Sequence, residues 1–114
     1  MKKNKDNEMR NAFPVIKYDY HGKLISSNGT ALPLLSQWNC RHGGKIPSTI
    51  MKAYPEMAYA IMDPQAVECC VTMGDCKIWF DIVPYPEAGY VGMYGHSVEM
   101  SEVNSEKKIL RMAG

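Results

Sequence analysis

No run of apolar residues in this 114-residue chain approaches the roughly 20 that a membrane-spanning helix needs. A basic stripe is missing too, and a formal net charge of +1 argues against an electrostatic nucleic-acid binder. The opening stretch MKKNKDNEMRNAF is charged and polar without an apolar centre, so it does not read as a secretory signal. A cytoplasmic setting is the resulting expectation. Internal repeats and low-complexity tracts are lacking. So is any glycine-rich phosphate cradle or nucleophile elbow, because GYVGMYG (89–95) falls in a strand-like segment rather than ahead of a helix. No kinase, cyclase or DNA-binding motif appears, so the chain is expected to be one module of a larger protein or a stand-alone partner.

What is present fits one domain. A chain of this size buries roughly two-thirds of its unfolded surface, enough for a core without covalent staples. Cys40, Cys69, Cys70 and Cys76 are therefore expected to be reduced thiols, the more so because Cys69 and Cys70 are adjacent.

The stretch KYDYHGKLISSNGTALPLL (17–35) poses the first structural question: why a tight hairpin should run straight into a helix. Residues 14–20 (PVIKYDY) are β-prone, with a proline suited to the start of a strand. Asp19 to Lys23 carries turn chemistry, with Gly22 available for positive φ. Residues 24–27 make a second short strand, and Asn28 suits a helix N-cap. Ala31, Leu32, Leu34 and Leu35 supply an apolar face for one or two turns, with Pro33 in the first turn, where a missing N–H costs least. Residues 39–46 (NCRHGGKI) read as a loop. From Pro47 and Ser48 a second helical stretch begins, presenting Ile50, Tyr54, Met57 and Ile61 on one face. Pro55 predicts a kink or two short helices in series, and Asp63-Pro64 ends the stretch.

Alternation then takes over. In residues 66–73, Val67, Cys69, Val71 and Met73 oppose Glu68, Cys70 and Thr72. Gly74-Asp75 makes a turn. In residues 76–83, Ile78, Phe80 and Ile82 oppose Lys77, Trp79 and Asp81. PYPEAG reads as a hairpin loop, and residues 90–98 as a last strand, with Gly92 and Gly95 marking a bulge or a close backbone approach. Two strands, short helices and a three-stranded meander make an α+β protein: a five-stranded antiparallel sheet with its helices on one face.

This order of elements resembles the PAS domain family. DYHGKLISSN resembles the first PAS hairpin, ALPLLSQW the short helix after it, and GGKIP the loop leading to the long helix. KIWFDIVPYPEAGYVGMYG is similar to the last two strands and their connector. The match spans residues 13–100, with 1–12 as a flexible or helical N-terminal arm and 101–114 as the start of an outgoing linker helix. In that tail Met100, Val103, Lys107 and Leu110 have the spacing of a heptad seam. The resemblance implies a sensory or regulatory module, as in histidine kinases and other two-component signalling proteins. Such a module binds a small ligand or dimerises, and relays a signal through its C-terminal helix to an output domain. The relay is expected around His96, Ser97 and Glu99, although Ser97 stands where the family usually carries an aspartate.

Flavin and haem are not expected. NCR (39–41) lacks the flanking residues of the flavin-photoadduct motif, and no histidine lies between residues 47 and 62 to ligate haem. The cofactor stays unassigned, and no metal set is assigned: adjacent Cys69 and Cys70 point to opposite faces of a strand. The expected site is an apolar pocket lined by Ile50, Tyr54, Met57, Ile61, Val67, Cys69, Val71, Ile78, Phe80, Ile82 and Tyr94. Trp79, Tyr90 and Tyr94 are alternatively read as facing outward, where an N-terminal helix or a second subunit would cover them; a homodimer, with residues 4–13 packed across it, is the preferred expectation. The competing reading is a thiol- or metal-based redox sensor, or a small enzyme, using Cys40 and His42; the module is otherwise expected to be non-enzymatic.

Overall fold

Alternation along the last third of the chain yields three long antiparallel strands, and their inward residues decide where everything else packs. A computed structural model describes residues 13–100. In chain order the protein has β1 (Val15–Asp19), β2 (Leu24–Ser27), a 3-10 turn (Gly29–Ala31), α1 (Leu32–Gln37), α2 (Ser48–Ala53) and α3 (Pro55–Met62). β3 (Val67–Met73), β4 (Cys76–Tyr85) and β5 (Tyr90–Met100) follow. The strands form one antiparallel sheet in the order β2-β1-β5-β4-β3. It is an α+β arrangement, with the three short helices between β2 and β3.

Cross-strand register gathers the core on one face. Cys69 pairs with Phe80, Val71 with Ile78, and Ile82 with Met93, so all six point the same way. Ile16 and Tyr18 extend that face onto β1. Ala31, Leu34, Leu35 and Trp38, then Met57 and Ala60, close over it in one apolar cluster. Two polar ties fix the roof. The buried Tyr18 hydroxyl donates to the Met57 carbonyl of α3 at 2.7 Å, and burial holds that phenol well above its ordinary pKa. Asn28 answers the opening question about the hairpin. Its Oδ1 accepts from Val15 N–H at 3.0 Å and Ala31 N–H at 3.2 Å, and its Nδ2 donates to the Phe13 carbonyl at 2.9 Å. One side chain thus ends β2, grips β1 and caps the 3-10 turn.

The β1–β2 turn is held by Asp19, whose Oδ1 accepts from the backbone N–H groups of His21 and Lys23, both at 2.9 Å. Gly22 supplies the φ of +81°. The Lys23 and His21 N–H bonds hold the Asp19 carboxyl below its usual range. The turn's gain from the ionised form is therefore present above the ordinary carboxylate pKa and lost as pH falls through the lowered folded value.

Pro55 does split the second helical stretch, with Tyr54 as the non-helical hinge at φ −128° and ψ 75°. The free edge of β3 is covered at one end by side chains. Gln37 donates to the Thr72 carbonyl at 2.9 Å and accepts from Gly74 N–H at 3.0 Å, while Thr72 N–H donates to the Tyr54 hydroxyl at 3.2 Å.

Three details differ from the sequence reading. Leu32 is 55% exposed. The inward positions are 31, 34, 35 and 38, the i, i+3, i+4, i+7 set of one helix face, and Leu32 lies off that stripe. β4 runs through Pro84 and Tyr85, shortening the hairpin loop to residues 86–89. Proline is tolerated there because β3 has already ended: its first pair is Val67 with Ile82, so beyond it β4 has a free side. Finally, β5 continues to Met100, so the proposed seam begins on a strand. Val103, Lys107 and Leu110 lie outside the described residues, as do the arm 1–12 and the linker 101–114. All four cysteines are free thiols.

Phe80→Ala is expected to cost about 3–5 kcal/mol of stability, whereas Leu32→Ala should stay within about 0.5 kcal/mol. Urea unfolding followed by circular dichroism measures both, and comparable losses would contradict this placement of the core.

Candidate functional site

The residues expected to line an apolar pocket mostly form the packed core. Met57, Val71, Phe80 and Ile82 are fully buried, as are Ile78 and Cys69 within a few per cent. Ile50, Tyr54, Ile61 and Val67 sit at the rim of that cluster, partly buried. Tyr94 is a correction. It pairs with Asp81 and Val15, which places it on the opposite, outer face. The inward residues of β5 are Val91 and Met93, and strand alternation then turns Tyr90 and Tyr94 away. The Tyr94 ring lies over Gly92, where a Cβ would come within 2.5 Å of its hydroxyl oxygen.

An accessible cleft opens beside the core instead. Its walls are Tyr20, His21 and Gly22 of the first turn, Lys45, Ile46 and Pro47 of the loop, Ser48 and Met51 of α2, and Ala58 and Ile61 of α3; its volume is about 430 Å³. The loop is stitched to the hairpin by backbone bonds: Gly43 N–H to the Leu24 carbonyl at 2.8 Å, Leu24 N–H to Gly44 at 2.9 Å, and Ile46 N–H to Gly22 at 2.8 Å. Gly43, at φ +84°, permits that reversal. Tyr20 lines this cleft, and its hydroxyl is buried with no hydrogen-bond partner among the described residues. Of the expected ligand residues only Ile61 lines it. Tyr20 itself escaped the sequence reading, though its spacing from Ile16 and Tyr18 puts it in phase with the inward row.

A second groove, about 520 Å³, is lined by Leu32, Leu35, Ser36, Cys40, Arg41 and His42. Within it His42 Nε2 lies 2.8 Å from Ser27 Oγ, while the Cys40 thiol faces the carbonyls of Lys45 (3.7 Å) and Arg41 (4.0 Å). Burial raises the Cys40 pKa. The groove thus holds both residues of the suspected dyad without bonding one to the other. Cys69 is still less reactive in character, its thiol pushed up to about 12 by burial and by the Glu56 carboxylate 3.6 Å away.

The outer sheet face carries the aromatic set. Tyr85 and Tyr90 pack at 4.9 Å between ring centroids, and Lys17 Nζ lies 5.1 Å over the Tyr90 ring. The Tyr94 hydroxyl donates to that of Tyr85 at 3.4 Å, and burial with this bond raises its pKa. Trp79 is half-buried between Cys70 and Ser97. The expected relay residues share this face: Ser97 stands opposite Trp79, Glu99 opposite Lys77, and His96 Nε2 reaches Glu68 at 3.0 Å and Asp81 at 3.5 Å.

Comparison with known proteins found no matching family model, curated protein or solved structure. Among the described residues no helix is long and apolar enough to cross a membrane.

The thiols give a direct check on burial. Cys69 stays protonated in the folded state from its ordinary 9.0 up to about 12. Its contribution to stability is therefore complete below 9.0 and declines as pH rises towards 12. Iodoacetamide at pH 8.5, read by peptide mass spectrometry, is expected to label Cys70 and Cys76 well before Cys69. Early labelling of Cys69 would mean that the α3 roof does not seal β3.

Proposed function

We propose that this chain is a PAS-like sensory or regulatory module, which takes a small, largely apolar ligand at the Tyr20 cleft and relays occupancy through β5. The observation that carries this reading is Tyr20, which lines a cleft walled in part by Ile46, Met51, Ala58 and Ile61 and whose hydroxyl is buried without a hydrogen-bond partner among the described residues. A buried polar group left unpaired costs about 1–3 kcal/mol. A ligand that offers it one hydrogen bond recovers that cost and gains orientation, the usual design of a small-molecule site. The order of strands and helices, with helices roofing one sheet face, is what the resemblance to the PAS family implies.

The relay has a physical route. The cleft wall α3 is tied to β1 through the Tyr18–Met57 bond, and β1 pairs along its whole length with β5. β5 is the central strand, bonded on both sides, and its far end carries His96, Ser97 and Glu99. A shift of the roof therefore reaches the strand that leads out of the domain. In this reading the output is a signalling domain such as a histidine kinase, reached through residues 101–114 in the cytoplasm. The half-buried aromatic face of Trp79, Tyr90 and Tyr94 is where a second copy would pack. No catalytic role follows for Cys40 and His42.

Native mass spectrometry of the purified chain, together with binding of the dye anilinonaphthalene sulfonate, tests the reading. The wild type is expected to retain a small molecule or to bind the dye with a rise in melting temperature. A ligand at a hundred times its Kd stabilises by about 2.7 kcal/mol. Ala58→Trp, which fills the cleft, should abolish both responses in a folded protein, and Tyr20→Phe should weaken them. Identical behaviour of wild type and a folded Ala58→Trp variant would overturn the proposal.

A further inference from the structure

Glu68 of β3 and Asp81 of β4 stand directly opposite each other on the outer face. Like charges so placed weaken a sheet, so the pair calls for a cation between them. The third member arrives through an irregularity in β5. Trp79 pairs with Ser97 but Phe80 with Gly95, leaving His96 as an extra, bulged residue. A bulge re-aims its side chain, and here it delivers His96 Nε2 to 3.0 Å from Glu68 Oε2 and 3.5 Å from Asp81 Oδ1. The three donor atoms lie within 4.8 Å of one another, and all three residues are exposed to solvent.

We propose that Glu68, Asp81 and His96 form a binding site for a divalent transition-metal ion of the zinc class. Bonds of about 2.0–2.1 Å to nitrogen and oxygen in a tetrahedral shell put neighbouring donors about 3.4 Å apart. The two separations from Nε2 bracket that value. A single imidazole N–H makes one good hydrogen bond, so it serves one of these carboxylates well and the other poorly; an ion on the Nε2 lone pair serves both. One imidazole and two carboxylates suit zinc or its neighbours better than magnesium or calcium, which favour oxygen alone. The remaining coordination position faces water. A groove of about 430 Å³ lined by Ala66, Val67, Glu68, Asp81 and Val83 adjoins the two carboxylates and leaves room for an exogenous ligand. Each donor comes from a different strand, so an ion here would clamp β3, β4 and β5 at the bulge.

The test is isothermal titration of the full-length chain with zinc chloride, after iodoacetamide treatment to remove competing accessible thiols. One ion per chain is expected, with a rise in melting temperature and no comparable response to magnesium chloride. His96→Ala and, separately, Asp81→Asn should weaken binding by more than about tenfold, while His42→Ala leaves it unchanged. Folding of each variant is checked by circular dichroism. Absence of zinc binding in the treated wild type would overturn the site, as would affinity unaltered in both folded variants or matched by magnesium. The readout does not involve the Tyr20 cleft, so it stands or falls independently of the sensory reading.

Discussion

Burial of Ile78, Phe80 and Ile82 along one side of β4 is the constraint on which the rest of the molecule depends. Each such side chain is worth about 1.5–3 kcal/mol when taken out of water. Their partners Val71, Cys69 and Met93 are set by register, and a slip of one residue would turn every one of them to the wrong face. The helices have no independent reason to sit where they do. α1 and α2 are six residues each and α3 eight, too short to persist alone. They stand because Leu34, Leu35, Met57 and Ala60 have that dry surface to cover.

The same constraint fixes the outer face. Once the inward row is chosen, Glu68, Asp81 and Tyr94 have no choice but to point the other way. β5 belongs to both worlds: Val91 and Met93 close the core, while Tyr90, Tyr94 and the bulged His96 define the exposed side. The cleft beside Tyr20 and the carboxylate–histidine cluster thus lie on opposite faces of one sheet, joined through its central strand.

Much of this could be read from the residues in order. Alternation located β3 and β4, Asn28 marked the end of the hairpin, and Pro55 divided the helices, because each is a local property. Gly92 and Gly95 were expected at a close approach or bulge. Gly92 sits under the Tyr94 ring, and a Cβ on Gly95 would meet the Pro14 carbonyl at 3.1 Å. What the sequence hid was everything that needs register or docking. The sequence leaves Tyr94 open to two readings, inward with the pocket residues or outward with Trp79 and Tyr90, and its phase shows only against Asp81. Gly95 marks the place of the bulge within one strand, but that His96 is the extra residue shows only as a mismatch between two strands. Glu68, Asp81 and His96 come from three separate segments and meet only once those strands are aligned. The cleft at Tyr20 likewise forms only after the Gly43–Ile46 loop has docked on the hairpin.

The side chains of Gln37 and Tyr54 on the rim of β3 have a further consequence. A seven-residue border strand offers a template for another chain to join by main-chain pairing. At Thr72 both main-chain groups facing away from β4 are already occupied by those two side chains. Glu68 and Cys70 share the phase of Thr72, so their main-chain groups face the same way. The opposite border, β2, is only four residues long and has the Gly43–Ile46 segment laid against its start. Among the described residues, a strand that extended this sheet from outside would therefore find its longer opening at the Val67–Cys70 half of β3 rather than beside the hairpin.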